Sequence, residues 1–411
     1  MSETANIGDS HLFEGVVERQ RGTVSDERLE QIRSAVEISR EAVKVASITA
    51  IDILREIPAF MAGLDLEKEL VNPFEHIEAP IWKEEAVPTE MIEAAFAYCE
   101  LLTQQEAGNF YHSFKYLPDD KRLAMCAYYA FCRRADDIAD DDYVDVFLGS
   151  AGADDPEAKA YREQLEELIG DKSVLDSDTY QDRLAQLFFF RQNLSPAYSP
   201  QSSTDPVFMA LKDVVIRYDI PRVYMDDLIS GMEDDLYTNR YQTFEDLYRY
   251  CYRVASTVGL TCIEIYGYDD PRAKEYAESW GIFMQLTNIL RDVAEDAQRN
   301  RVYLPIEDLE RHGIKPRELS EDLSNDKRWH AFVAEFIERI EGYHKKGLKL
   351  LPLLNRKERY SPAAMMAFYS SILKKIKRKD GNEFQGTIKL NKTEEMALAA
   401  IVYTKQRFLR L

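Results

Sequence analysis

The sequence has no long hydrophobic run. None of its 411 residues lies in an apolar stretch of the 18 or so residues that span a bilayer. The N-terminus also lacks the charged-then-apolar pattern of a secretory signal. These absences predict a cytoplasmic protein. A short apolar stretch at 396–403 precedes Lys405, Arg407 and Arg410, which leaves peripheral contact with an anionic membrane open.

Glycine and proline are both scarce. The chain has 17 Gly and 15 Pro. Each makes up about 4% of the residues, against average usages of roughly 7% for Gly and 5% for Pro. Few turn residues favour long helices over many short strands. Hydrophobic residues make up 45% of the chain, which is enough to bury a sizeable core.

Cysteine is scarce too, and its five positions show no paired metal-ligand spacing. We expect them to be reduced thiols in the core. The sequence also contains no P-loop and no GxGxxG motif, so nucleotide binding lacks support. Nothing in the sequence assigns an oligomeric state.

Positive charge is in deficit. The chain has 73 acidic and 52 basic residues, a net charge of −21, which argues against a nucleic-acid-binding surface. An acidic protein that binds an anionic substrate needs cations at its site.

The pattern along the chain predicts two parts. Residues 1–90 form an N-terminal extension that is helical in part and has no assigned role. Residues 91–411 are denser in apolar positions at helical spacing and form a second domain, which contains all the polar motifs that could carry chemistry. Within that domain, the composition of residues 197–206 is typical of an exposed loop.

The first polar motif ends an apolar helical stretch. Asp136 and Asp140 are four residues apart, so on a helix both carboxylates lie on one face, about 40° apart. Oxygen ligands in this arrangement suit Mg²⁺. The alternative is a solvated helix end that leads into an acidic loop.

The second motif is a polar stripe on an otherwise apolar helix. Gln285, Asn288, Asp292 and Asp296 fall on one narrow face at 100° per residue. Buried carboxylates and amides cost several kcal/mol unless they have partners, so the stripe should face metal ions, arginines or water. The alternative is a surface helix with an ordinary polar face.

Two carboxylate pairs on separate helices suggest a cavity that holds Mg²⁺ against a diphosphate. Such ions neutralise the charge that develops on the leaving group. Arg133, Arg291 and Arg301 could add contacts to the phosphate oxygens.

These motifs resemble the head-to-head trans-isoprenyl diphosphate synthases, the squalene/phytoene synthase family, and most closely phytoene synthases. The resemblance extends from about residue 94 to the C-terminus. Its motifs lie at residues 109–118, 132–140, 231–236, 250–259, 288–296 and 301–305. One departure is Asn300, where relatives usually have Gly.

The resemblance implies an all-α protein with the isoprenoid synthase fold, a helical bundle around a deep central cavity. It also implies the roles of individual residues. The metal ligands would be Asp136, Asp140, Asn288, Asp292 and Asp296. The substrate-binding residues would be Arg133, Asp235, Gln285, Asn288, Arg291, Arg301 and Tyr369. Tyr250 would lie near the reacting carbons and assist proton or carbocation handling, so it is a predicted catalytic residue together with the four motif aspartates.

The implied reaction is a Mg²⁺-dependent 1-1′ condensation of two prenyl diphosphates through a cyclopropylcarbinyl diphosphate, with Mn²⁺ as a substitute metal. Two geranylgeranyl diphosphates would give phytoene, for carotenoid biosynthesis. The alternatives are squalene, presqualene diphosphate or dehydrosqualene from farnesyl diphosphate, and NADPH is required only for squalene. A rival of another class is a non-catalytic relative that serves as an assembly or scaffold protein.

Overall fold

The computed structural model describes residues 87, 89–107, 109–140, 155–168, 180–203, 205–379, 384 and 388–409. All regular structure in these ranges is helical, and the only strand-like pairings there are two isolated bridges. The all-α prediction is therefore confirmed. The extension proposed for residues 1–90 lies almost entirely outside the described residues, so its boundary stays a prediction.

The described residues form fifteen α-helices. They are α1 (Thr89–Glu106), α2 (Asn109–Phe114), α3 (Asp119–Asp140), α4 (Pro156–Leu168), α5 (Tyr180–Asn193), α6 (Pro206–Arg217), α7 (Arg222–Tyr237), α8 (Phe244–Cys251), α9 (Thr257–Tyr266), α10 (Arg272–Arg291), α11 (Val293–Gln298), α12 (Ile306–Arg311), α13 (Lys327–Gly347), α14 (Tyr360–Lys379) and α15 (Lys392–Leu409). Short 3₁₀ turns span Ser195–Tyr198, Pro316–Ser320 and Leu348–Leu353, and a π-helical segment spans Tyr252–Ser256. None of these described helices is both long and apolar enough to cross a membrane.

The chain divides into two compact units. One spans Leu64–Lys389 and contains helices α1 to α14. The other includes Leu390–Arg410, whose helix α15 starts at a reciprocal cap: the Asn391 side chain accepts from the Glu394 N–H at 2.9 Å, and the Glu394 carboxylate accepts from the Asn391 N–H at 2.8 Å.

Two helices organise the larger unit. Helix α3 packs against α1, α5, α6 and α7, and α10 packs against α9, α13 and the π-helical segment. Aromatic side chains fill the space around α3, where the Phe131 ring stacks on Phe190 with 5.1 Å between centroids and meets Phe208 edge-on. Helix α3 ends in the first predicted aspartate motif, and α10 ends directly before Asp292 of the second, so their packing fixes where both motifs lie.

The polar stretch 197–206 is not the exposed loop that its composition predicts. Asp205 is fully buried, and its carboxylate accepts from Arg134 Nη1 at 2.8 and 2.9 Å. The same carboxylate caps α6 by accepting from the Val207 N–H at 2.8 Å. The composition misleads because these polar groups are satisfied inside the protein instead of by water.

A π-helical segment separates α8 from α9. Two glycines allow it to approach its neighbours: a Cβ on Gly281 of α10 would lie 2.6 Å from the Ser256 backbone, and one on Gly231 of α7 would lie 2.5 Å from Val254. Such segments are rare and often occur at functional sites. Here the segment begins two residues after Tyr250, which lies in the last turn of α8.

The five cysteines, at positions 99, 126, 132, 251 and 262, are all free, as expected. Three are buried and two are half-buried.

Candidate active site

The first aspartate pair lies at the C-terminal end of α3. The side chains of Asp136 and Asp140 keep 52% and 39% of their surface exposed, so both can reach a ligand in solvent. Arg133 lies beside them: its guanidinium pairs with Asp137 at 2.6 Å and lies 3.9 Å from Asp136. The predicted neighbourhood of cation and carboxylates at this helix end is therefore present.

The second aspartate pair departs from the single straight helix that its spacing predicts. Helix α10 ends at Arg291, and Asp292 has φ −102° and ψ 10° before α11 begins at Val293. The Asp296 N–H still donates to the Asp292 carbonyl at 2.9 Å. The two carboxylates therefore stay about one turn apart, although the helix is interrupted between Asn288 and Asp296.

Charge and burial compete around this second pair. The Arg291 guanidinium pairs with both carboxylate oxygens of Asp292, at 2.7 and 2.5 Å. Burial, and then the negative charge of Asp292, raise the pKa of Asp296 to about 7. A carboxyl in this state gains from a nearby cation that would hold it ionised.

The amide of Asn288 supplies a further oxygen donor. Its Oδ1 is buried and has no hydrogen-bond partner. Tyr369 lies next to it, and burial raises the pKa of that phenol while Arg291 and the Asn288 amide oppose the shift. Gln285, one turn earlier on α10, is half-buried.

These residues suit a hard divalent cation. An orphaned amide oxygen beside two carboxylates is an all-oxygen donor set, which Mg²⁺ prefers. Among the residues that the structure describes, no three His, Cys, Asp or Glu side chains come close enough to hold a metal ion by themselves. Oxygens from another source would have to complete the coordination.

Arg301 connects the two motifs. Its N–H donates to the Asp296 carbonyl at 2.8 Å, and its guanidinium lies 3.7 Å from the Asp140 carboxylate. Although burial alone lowers the pKa of Arg301, the neighbouring Tyr303, Asp235 and Asp140 raise it more, so the side chain stays charged. The residue before it, Asn300, has φ 58°, the left-handed conformation that glycine adopts most readily and asparagine tolerates.

A second cluster lies beside Arg301. Both oxygens of the Asp235 carboxylate accept a phenolic hydrogen, one from Tyr250 at 2.9 Å and one from Tyr303 at 2.8 Å. Burial raises the pKa of Asp235 to about 7, against the opposing effects of Arg301 and the two hydrogen bonds. Tyr250 and Asp235, both predicted from sequence, are therefore in direct contact.

Sequence reasoning missed Tyr303 and Tyr241 as members of this cluster. The three tyrosine rings have centroids 5.1 to 5.8 Å apart, and the Tyr241 hydroxyl is buried without a partner. Their proximity depends on backbone contacts between distant segments: the Val302 N–H donates to the Asn239 carbonyl at 3.0 Å, and the Ile306 N–H to Tyr241 at 2.9 Å. The available signal was the motif at 301–305, which contains Tyr303.

The sequence profile of the squalene/phytoene synthase family matches residues 103–394, well over half of the chain. The chain belongs to this family. It is therefore an enzyme, a prenyltransferase of isoprenoid biosynthesis, and the resemblance stated above is confirmed. The scaffold alternative finds no support, because all four motif aspartates and Tyr250 are present.

Individual relatives agree with the family match. A 15-cis-phytoene synthase of Synechocystis sp. is 33% identical over 311 residues, which cover 73% of this chain and 81% of that protein. A phytoene synthase of Mycobacterium tuberculosis is 31% identical over 311 residues, or 75% of this chain and 90% of the relative.

Solved structures share the fold. A dehydrosqualene synthase crystallised with a ligand superposes with a TM-score of 0.63 at 26% identity, covering 78% of this chain and 99% of that one. A squalene synthase from Alicyclobacillus acidocaldarius superposes with a TM-score of 0.58. The predicted isoprenoid synthase fold is thus confirmed, whereas its deep central cavity stays a prediction.

Proposed function

We propose that this protein condenses two prenyl diphosphates head to head, with a 1-1′ linkage, through a cyclopropylcarbinyl diphosphate. The preferred substrate is geranylgeranyl diphosphate and the product is phytoene. The observation that carries the proposal is the connection of the two carboxylate motifs through Arg301, beside the Tyr250–Asp235 pair. The Arg301 guanidinium approaches the Asp140 carboxylate, and its backbone N–H donates to the Asp296 carbonyl. Phytoene synthases among the relatives support the substrate.

Mg²⁺, or Mn²⁺ in its place, would be held by Asp136, Asp140, Asn288, Asp292 and Asp296 together with diphosphate oxygens. When bound, it neutralises the negative charge of the departing diphosphate. Arg133, Arg291 and Arg301 would bind the same phosphate oxygens, and they would then loosen their pairing with Asp137, Asp292 and Asp140.

The remaining site residues handle the allylic cation. Gln285 and Tyr369 would complete the binding surface next to Asn288. Tyr250 lies against the Tyr303 ring and hydrogen-bonds Asp235, where it can exchange a proton with the reacting carbons. Water must be kept away from this position because it would quench a carbocation.

The alternative is a C30 product from farnesyl diphosphate. It is favoured by the structural similarity to a dehydrosqualene synthase. Squalene would require NADPH as the hydride donor, whereas dehydrosqualene and presqualene diphosphate would not. Contact with a membrane that receives the apolar product stays a prediction from the basic C-terminal residues.

The test is to incubate the purified protein with Mg²⁺ and either farnesyl or geranylgeranyl diphosphate, with and without NADPH. Mass spectrometry identifies the hydrocarbon, and a colorimetric assay measures released pyrophosphate. A C40 product that does not depend on NADPH would support phytoene synthesis. A C30 product would move the assignment to farnesyl diphosphate, and no pyrophosphate release from either substrate would contradict the proposal.

A further inference from the structure

The Asp235 carboxylate is enclosed by tyrosines from two other segments. Asp235 belongs to α7, Tyr250 to α8, and Tyr303 to the segment between α11 and α12. Its Oδ2 accepts the Tyr250 hydrogen and its Oδ1 accepts the Tyr303 hydrogen, at 2.9 and 2.8 Å. Both oxygens are thus held in fixed directions, and each hydrogen bond comes from a neutral donor.

Neutral donors leave this carboxylate able to take up a proton. A guanidinium in contact would hold an acid ionised and lower its basicity, whereas a phenol stabilises the anion less. Arg301, the nearby cation, lies 3.7 Å from the Asp140 carboxylate, and its charge opposes the effect of burial on Asp235 without cancelling it. Burial raises the pKa of Asp235 to about 7, which matches a proton acceptor that works near neutral pH.

We propose that Asp235 is the final acceptor of a proton that Tyr250 removes from the substrate, and that Tyr303 is a positioning residue that holds Asp235 for this transfer. The inference rests on the proposed function and adds a route for the proton. Of the two tyrosines, Tyr250 has to approach the reacting carbons, whereas Tyr303 contacts only Asp235 in this transfer.

The proton leaves during closure of the cyclopropane ring. Once the first substrate has lost diphosphate and its C1 has joined the double bond of the second, a tertiary cation remains. A C–H bond at C1 of the first substrate then breaks, and its electron pair closes the cyclopropane ring. The proton passes to the Tyr250 oxygen as the Tyr250 hydrogen passes to Asp235 Oδ2, so that a neutral ring and a neutral carboxylic acid result. The Tyr303 hydrogen stays on Oδ1 throughout.

Tyr303 is suited to positioning because its own place is fixed by the backbone. The flanking Val302 and Ile306 N–H groups donate to the carbonyls of Asn239 and Tyr241, at 3.0 and 2.9 Å. The Tyr303 ring also stacks on Tyr250 at 5.1 Å and on Tyr241 at 5.8 Å. Loss of its hydroxyl would free one oxygen of Asp235 and leave the ring packing intact.

The test compares three variants of the full chain with the wild type. Asp235→Asn keeps the size of the side chain but removes the acceptor, and Tyr303→Phe removes one hydrogen bond. Tyr161→Phe is the matched control: Tyr161 donates to Glu233 at 2.8 Å on the same helix, and Glu233 keeps its ion pair with Arg191 at 2.7 Å. Single-turnover mixing with Mg²⁺ and geranylgeranyl or farnesyl diphosphate, whichever the wild type uses, measures formation of the cyclopropylcarbinyl intermediate.

We expect Asp235→Asn to slow formation of the intermediate by about 10²- to 10⁴-fold, the range of general acid–base catalysis, with KM changed less than about threefold. Tyr303→Phe should lower kcat by about tenfold with KM unchanged, and should have no further effect in the Asp235→Asn background. Tyr161→Phe should match the wild type. Melting temperatures and circular dichroism identify any variant that fails to fold, and Asp235→Glu then replaces a misfolded Asp235→Asn, with partial activity expected.

Each remaining outcome contradicts a different statement. If the wild type forms product and Asp235→Asn retains its rate within about threefold, Asp235 is not the acceptor, although the proposed function stands. If Tyr303→Phe raises KM and leaves kcat unchanged, Tyr303 contributes to binding and not to positioning. A wild type that forms no product would overturn the proposed function together with this role for Asp235.

Discussion

At the scale of single residues, two adjacent arginines have opposite environments. Arg133 is 31% exposed at the helix end and pairs with Asp137. Arg134 is 3% exposed, pairs with the fully buried Asp205, and lies over the rings of Phe190 and Phe208. One residue of helix rotation thus separates a candidate ligand-binding cation from a structural one.

We expect Arg134→Ala to lower the free energy of unfolding by about 3–5 kcal/mol, because it leaves the Asp205 charge buried without this partner. Arg133→Ala should cost less than about 1 kcal/mol, since its ion pair is partly solvated, and should instead raise KM for the prenyl diphosphate. Urea denaturation and steady-state kinetics measure the two effects. Equal losses of stability in both variants would contradict the assignment.

Asp235 predicts a dependence of stability on pH. Its pKa rises from 3.8 in the unfolded chain to about 7 in the folded protein, because burial disfavours the charged form. Between these values the folded state holds a proton that the unfolded state has released, so this contribution to stability is full below pH 3.8 and is lost as pH rises through about 7.

Asp235→Asn lacks this titration. The melting temperature of the wild type, relative to that of the variant, should therefore fall as pH rises from about 4 to about 8. Paired thermal melts at half-unit pH intervals test this. A constant difference across the range would show that the pKa of Asp235 is not raised.

The sequence predicted only part of the site at this scale. The aspartate pairs, Asn288 and Arg301 could be found because helical spacing or a motif marks them. Tyr303 could not be distinguished among 24 tyrosines, because its partner Asp235 lies 68 residues earlier in the chain. The burial of Asp205 could not be predicted either. A polar segment has the same composition whether water or an arginine forms the hydrogen bonds to its side chains.

At the scale of elements, the π-helical segment depends on close packing against glycine. The extra residue per turn displaces Tyr252–Ser256 toward α10, where Gly281 leaves room for the Ser256 backbone. Tyr250 lies in the last turn of the helix before this segment, so the direction of its side chain depends on the same contact. The helix periodicity of the sequence predicted neither this segment nor the break at Asp292. The break keeps the i→i+4 hydrogen bond between Asp292 and Asp296, so the spacing of the side chains does not reveal it.

Gly281→Ala should displace the π-helical segment, because the new methyl group would lie 2.6 Å from backbone atoms that cannot rotate away. We expect the free energy of unfolding to fall by about 1–3 kcal/mol. We also expect a lower kcat, because the displaced segment follows Tyr250. Gly342→Ala is the control, because Gly342 is exposed within α13 and has nothing within 4 Å. That variant should gain about 0.5–1 kcal/mol, as expected for alanine in a helix. Equal behaviour of the two variants would contradict the role of close packing.

At the scale of the whole molecule, a net charge of −21 has to be reconciled with an anionic substrate. The scarcity of glycine and proline favoured long helices. The order of the motifs indicated the family, and the resemblance to that family implied the all-α fold. The partner of each polar side chain could not be predicted, because it depends on how helices that are distant in the sequence pack together. The acidic composition does predict that diphosphate binding requires divalent cations.

Inorganic pyrophosphate should therefore raise the melting temperature in the presence of Mg²⁺ and leave it unchanged in EDTA. Asp136→Asn and Asp292→Asn should each weaken the Mg²⁺-dependent shift, because each removes one anionic ligand. Thermal melts and isothermal titration calorimetry follow binding without relying on turnover. A full shift in EDTA would show that the arginines alone bind the diphosphate.

The paired hydrogen bonds at Asp235 have one further consequence. A phenol carries one hydrogen and two lone pairs, and Tyr250 and Tyr303 both direct their hydrogens at the same carboxylate. In this state neither hydroxyl has a hydrogen left to donate elsewhere. These two oxygens therefore present only lone pairs to any neighbour. They can accept a hydrogen bond or lie against positive charge, but they cannot donate a hydrogen bond.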